Sequence, residues 1–243
     1  MSGPSSEVGE AGAVELTLHG QSLVLLPERA LWWREADTLL LADPHFGKAA
    51  AFRAGGIPVP RGTTGETLER LERALARVEA RRLVVLGDFL HARRGRAPGT
   101  LRRLRTWRET RPRLELVLVR GNHDRHAGDP WQELDIHCTD QLVEPPFHLL
   151  HHPGASDAGY VLAGHIHPAV RLRGRARQAA TLPCFHFGEA VALLPAFGAF
   201  TGTALVEPAR GDRVFVIADD QVVEVSDRAT GGRERDEPSG GQQ

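Results

Sequence analysis

Cysteine is scarce. Cys138 and Cys184 are the only two in 243 residues. Two thiols are too few for a disulfide framework, which points to a reducing compartment, the cytoplasm. Long apolar runs are missing as well, so nothing is expected to span a membrane. The first twelve residues lack the basic-then-apolar order of a signal peptide. Charge of one sign is missing: 30 basic residues face 31 acidic ones, a net −1. No global field draws the chain to nucleic acid or lipid, and any such attraction must be local. Lysine is nearly absent, Lys48 being the exception among arginines. That bias reads as genome composition before function. No internal repeat is visible.

What is present is ordinary for a soluble protein: 41% hydrophobic and 25% charged residues, with ample length for a sizeable core. Residues 1–12 and 226–243 are rich in Gly, Ser, Pro and charge and are expected to be disordered tails. Between them, 13–225 reads as a single domain. Short strands are expected at 14–18, 23–26 and 30–33. The continuous apolar run 38–42 has the character of a strand buried on both faces, and 83–86 and 114–119 read as further buried strands. Leu68, Leu71, Leu75 and Val78 form a helical stripe from about Thr64. A second helix is expected from Pro98 to Thr110, stopped by Pro112. The stretch 129–143 reads as a short helix and loops. Strands are expected at 147–150 and 160–163. Further strands at 170–172, 190–194, 203–206, 214–218 and 222–225 suggest an antiparallel run. Strand–helix alternation first and strands later imply an α/β body with two sheets.

Five polar clusters each follow an apolar run: Asp43-Pro44-His45, Gly87-Asp88, Gly121-Asn122-His123-Asp124, His151-His152 and Gly164-His165-Ile166-His167. In open α/β sheets, ligands bind beyond the carboxyl ends of strands, where these clusters sit. Asp43 and His45 are two apart, as are His165 and His167. In extended backbone each pair offers both side chains to one region. The candidate ligands are Asp43, His45, Asp88, Asn122, one of His151 and His152, His165 and His167. This set has no thiolate and suits Mn, Fe or Zn. Seven ligands exceed one tetrahedral ion and suit two ions sharing a carboxylate. Such a pair, about 3.5–4 Å apart, clamps the attacking and leaving oxygens of a phosphoryl transfer.

Taken in this order, the motifs between Asp43 and His167 resemble those of the calcineurin-like metallophosphoesterases. The wider segments Asp43–Lys48, Gly87–His91, Leu149–Pro153 and Leu194–Gly202 are similar to those of the DNA ligase-associated metallophosphoesterases, bacterial proteins linked to DNA repair. The resemblance implies a two-sheet β-sandwich flanked by helices. It also implies two divalent ions, Mn²⁺ first. One would be held by Asp43, His45, Asp88 and His167, the other by Asp88, Asn122, His151 and His165. Water activated by both ions would attack phosphorus in line, His123 would protonate the leaving oxygen, and Asp124 would orient the His123 ring. The implied substrate is a phosphodiester in DNA. The implied partners are an ATP-dependent DNA ligase, a helicase and an exonuclease. A small nucleotide or phosphoprotein as substrate, or a non-catalytic scaffold, are the alternative readings. A scaffold would be expected to lose ligands or His123, and all are present.

Around this set, Lys48 and Arg53 stand where a cation can meet phosphate. His91, three residues past Asp88, is placed to support a ligand. The basic stretch Arg93–Arg113, with Arg102 and Arg105 on one helical face, can track a nucleic-acid backbone. Trp107 within it reads as core. His19, His126, His137, His148 and His186 read as structural, and Cys184 as a small buried hydrophobe.

Overall fold

The structure is a computed structural model and describes residues 11–60, 62–130, 134–173 and 178–225. The expected disordered tails therefore lie outside the described residues, except Ala11 and Gly12. These two form a turn in which the Gly12 carbonyl accepts the Val222 amide at 2.7 Å.

Seven strands form the first sheet in chain order: β1 Val14–Leu18, β2 Gln21–Leu26, β3 Ala30–Trp33, β4 Thr38–Leu41, β5 Arg82–Leu86, β6 Glu115–Val119 and β7 His137–Thr139. The first three joints are antiparallel. From β4 to β7 the strands are parallel, so the carboxyl ends of β4, β5 and β6 open on one edge. Parallel neighbours require crossovers. Helix α2, Thr63–Arg77, supplies one and α3, Pro98–Thr110, the next. Helix α1, Lys48–Ala54, precedes α2. A 3₁₀ turn at Arg93–Gly95 precedes α3, and α4, Asn122–Ala127, follows β6.

The second sheet runs β14-β11-β12-β13-β10-β9-β8, with β15 on β12 and β16 on β15. Its strands are β8 Leu142–Glu144, β9 Phe147–Leu150, β10 Tyr160–Ala163, β11 Pro168–Arg173, β12 Ala179–Phe187, β13 Val191–Leu193, β14 Ala204–Leu205, β15 Arg213–Ala218 and β16 Gln221–Val225. The expected late antiparallel run is corrected here. Of its strands, β13 pairs in parallel with β10 and β14 in parallel with β11, and β9 is also parallel to β10. Antiparallel pairing holds for β11–β12, β12–β13, β12–β15 and β15–β16.

The layers follow from the period-two geometry of strands. Leu39, Leu41, Leu83, Val85, Leu116 and Leu118 pack under the helices with Leu71, Leu75, Leu104 and Trp107. Their neighbours Leu40, Val84, Leu86, Val117 and Val119 face the second sheet's Phe147, Leu149, Leu162, Phe185 and Phe215. Both faces of β4–β6 are buried, which is why those strands read as unbroken apolar runs. The fold is a two-sheet α/β sandwich with helices on one side. Trp107 is core, as expected, with its indole N–H on Glu72 at 2.7 Å. Cys184 is fully buried among Val170, Val214 and Val216. No described helix is long and apolar enough to cross a membrane.

One segment stitches the sheets together at the edge where the parallel strands open. The Leu194 amide binds the Ala163 carbonyl beyond β10, while the amides of Phe197 and Gly198 bind the Ala42 and Asp43 carbonyls beyond β4. The Ala199 amide then reaches the Thr67 hydroxyl of α2 at 3.1 Å.

Candidate metal centre

All five clusters meet at this edge. Asp43, Asp88 and Asn122 come from the ends of β4, β5 and β6. His151, His165 and His167 come from the ends of β9 and β10. Three groupings of ligand atoms there lie within 4.8 Å: Asp43, His45 and His167; Asp43, Asp88 and His151; and His151, His152 and His165. A fourth adds His91 and His123 to His45. His19, His126, His137, His148 and His186 belong to none of them.

The paired ligands converge, but not through extended backbone. Asp43, His45, Asp88, His165 and His167 all have φ between 46° and 69°, in the left-handed region. That conformation disfavours L side chains and recurs where function over-determines the backbone. It turns the chain sharply after β4, β5 and β10 and lets residues on both sides of the turn face inward.

Space for the side chains comes from three glycines. A Cβ on Gly87 would lie 2.0 Å from the His151 ring, one on Gly121 2.1 Å from the Asp88 carboxylate, and one on Gly164 2.7 Å from Asp43. The glycine that opens three of the five clusters is therefore a volume requirement.

The hydrogen bonds leave the inner atoms as acceptors. His151 Nδ1–H donates to the Leu86 carbonyl at 3.0 Å and His167 Nδ1–H to the Gly202 carbonyl at 3.0 Å, so each Nε2 lone pair points inward. His151 Nε2 then lies 3.0 Å from Asn122 Oδ1 and 3.2 Å from His165 Nδ1. His45 and His167 bring their Nε2 atoms within 3.4 Å. Asp43 is fully buried. Its Oδ2 accepts the His165 amide, whereas its Oδ1 has no hydrogen-bond partner. An orphaned buried carboxylate oxygen among facing lone pairs is costly without a cation. Burial also depresses the pKa of His45 to about 2 and of His151 to about 4, holding both rings neutral as ligands must be. The residues present thus fit divalent ions.

Asp88 stands between the groupings. Its Oδ2 is 3.7 Å from His45 Nε2, and its Oδ1 is 3.5 Å from His151 Nε2. His151 is 2% exposed and His152 exposed, which separates the two adjacent histidines. His151→Ala is expected to cost one of two bound ions, and His152→Ala none, by metal analysis of purified protein. The reverse result would exchange their roles.

His123 is 36% exposed on the open side, with Nε2 3.9 Å from Asp88 Oδ2. The expectation that Asp124 orients this ring is corrected. Asp124 is 1% exposed and accepts the Gly121 and Leu90 amides, at 2.9 and 3.1 Å, so it fixes the loops around the site. The His123 ring is held instead by the His91 carbonyl, 2.5 Å from Nδ1.

Of the expected substrate contacts, Lys48 is half-buried at the start of α1. Burial lowers its pKa, and the charges of Asp88 and Asp43 oppose the drop. Arg53 turns away and donates to the Pro60 carbonyl at 2.8 Å. Arg102 and Arg105 are exposed on α3. Arg102 borders the groove between α2 and α3, alongside Arg73 and Arg103. Arg108 and Arg111 are tied to Leu134 and Glu72. Sequence reasoning did not single out Arg93 and Arg94 as the members nearest the site. They are exposed on the 3₁₀ turn, which packs against both α1 and α4.

Among solved structures the chain is similar to a crystal structure described as Pseudomonas putida nuclease MPE. The two are 43% identical over 87% of this chain and 100% of that one, with a TM-score of 0.76. The chain belongs to the ligase-associated metallophosphoesterases. No family profile and no curated protein matches it. In this metallophosphoesterase the Leu194–Gly202 segment laces both sheets to the Asp43 end of the site and supplies the carbonyl that orients His167.

Proposed function

We propose that the chain is a dinuclear metal-dependent phosphodiesterase acting on nucleic acid. Asp88 carries the reading, because its two carboxylate oxygens face two separate ligand sets. Asp43, His45, Asp88 and His167 would hold one ion, and Asp88, Asn122, His151 and His165 the other. Divalent ions, Mn²⁺ first, supply Lewis acidity and lower the pKa of water so that it is a nucleophile at neutral pH. The chain's own residues do the rest. His123 gives its Nε2 proton to the leaving oxygen as the P–O bond breaks. The Lys48 ammonium meets the non-bridging phosphate oxygens.

DNA as substrate is supported by the likeness to a nuclease and by the exposed Arg93 and Arg94 beside the site. A place in DNA repair, in the cytoplasm and beside a ligase, a helicase and an exonuclease, is proposed from the family alone. Residues 13–225 are proposed as one functional domain.

The direct test sets purified protein with Mn²⁺, and with a chelator, against bis(p-nitrophenyl) phosphate, single-stranded DNA and duplex DNA. Metal-dependent cleavage of the ester and of DNA is expected. Full turnover after chelation would overturn the metal role. Cleavage of the ester alone would favour a small substrate.

Replacing Arg93 and Arg94 by Ala should weaken DNA binding and flatten log affinity against log salt. The change should be about 0.9 per lost contact for duplex or about 0.7 for single strands. The Arg102→Ala/Arg105→Ala pair should change it less. If only the second pair matters, the nucleic acid crosses α3 instead.

A further inference from the structure

We infer that Phe52 and His91 are positioning residues that hold the His123 ring in line for proton donation. The inference rests on the reading of His123 as the proton donor and deepens it. His123 sits on a helix of only six residues, and its side chain is 36% exposed. Asp124 does not reach it. Its polar anchor is the His91 carbonyl on Nδ1. A single N–H···O bond leaves the ring free to swivel about the bond axis, which would sweep Nε2 through an arc.

Ring stacking removes that freedom. The His91 ring lies 4.7 Å from the His123 ring, at 24° to its plane. Phe52 of α1 also stacks on the His91 ring, centroid 5.8 Å away, again at 24°. Phe52 in turn meets the edge of Phe200 at 6.0 Å and 89°, so the outer end of the stack is fixed by the Leu194–Gly202 segment. His91 is pinned independently, its amide on the Phe46 carbonyl at 3.1 Å and its Nδ1 3.4 Å from His45 Nδ1. The His45 ring meets His123 edge-on at 5.2 Å and 85°. Residue 91 thus supplies both the hydrogen bond and the planar surface that fix His123, and Phe52 steadies that surface by its own ring contact.

The test compares Phe52→Leu and Phe52→Tyr on two diesters, with metal content measured for each protein. Bis(p-nitrophenyl) phosphate has a leaving group that needs little protonation; a thymidine dinucleotide leaves as an alkoxide and needs the acid. Phe52→Leu should lower kcat on the dinucleotide by about 10- to 100-fold, the scale of a misplaced catalytic group. It should leave kcat on the aryl ester and both ions unchanged, and Phe52→Tyr should restore the dinucleotide rate. Equal loss on both diesters, no loss on either, or a raised KM at unchanged kcat would overturn the inference. His123→Ala, run beside them, keeps the two readings apart. If it discriminates between the diesters and Phe52→Leu does not, the stack alone is refuted. If His123→Ala fails to discriminate, the proton-donor reading falls and the stack with it.

Discussion

Asp88→Asn is expected to abolish turnover and to lower occupancy of both ions, more than any change at a ligand of one ion. The side chain is 2% exposed and has an oxygen toward each ligand set, while Oδ1 also accepts the His123 amide at 2.9 Å. Burial raises its pKa, so the carboxylate is strained by its own desolvation and gains from any cation that joins it. Asparagine keeps the shape but removes the charge. It also turns an N–H₂ toward one set of lone pairs, where a donor cannot ligate. The loss should exceed the roughly 10–100-fold that accompanies changes in the shell behind metal ligands. Metal analysis and diester turnover on the same preparation decide it. Two retained ions with normal turnover would remove Asp88 as the bridge.

His123→Ala should lower turnover by about 10²–10⁴-fold, the range of a positioned general acid, while both ions stay bound. The side chain meets the His45 ring edge-on and lies 3.9 Å from Asp88 Oδ2, but it belongs to neither proposed ligand set. Its backbone amide, which holds Asp88 Oδ1, survives the substitution. The deficit should shrink on aryl esters and be largest on alkyl diesters. Loss of an ion in this variant would show that the ring ligates, as its grouping with His45 and His91 makes geometrically conceivable.

Much of this was legible in the sequence, for particular reasons. Thr38–Ala42 read as a doubly buried strand because its alternate residues enter two different cores. The five clusters were found because each sits at the end of such a run. Other features were hidden. β12 shows no clean pattern because it changes neighbours midway, from β11 to β13 and β15. α1 and α4 are seven and six residues long, too short for a periodic stripe to show. The role of Asp124 was hidden because its carboxylate is taken up by the amides of Gly121 and, thirty-four residues away, Leu90. No spacing rule reaches that far. The glycines of the motifs carry no mark of their role in the sequence. Only the packed site reveals them as the room in which Asp43, Asp88 and His151 sit.

The position of the site on the seam of the sandwich has a consequence for how it can fail. Each proposed ion takes ligands from both sheets: Asp43, His45 and Asp88 against His167, and Asp88 and Asn122 against His151 and His165. Such an ion is a rivet through two plates. It stabilises the joined state by about 2.7 kcal/mol when free metal stands at 100 times its dissociation constant. Two rivets sharing Asp88 would join the same two plates. Stripping the metal would then remove free energy that joins the two sheets, and thermal unfolding with and without metal would read that loss.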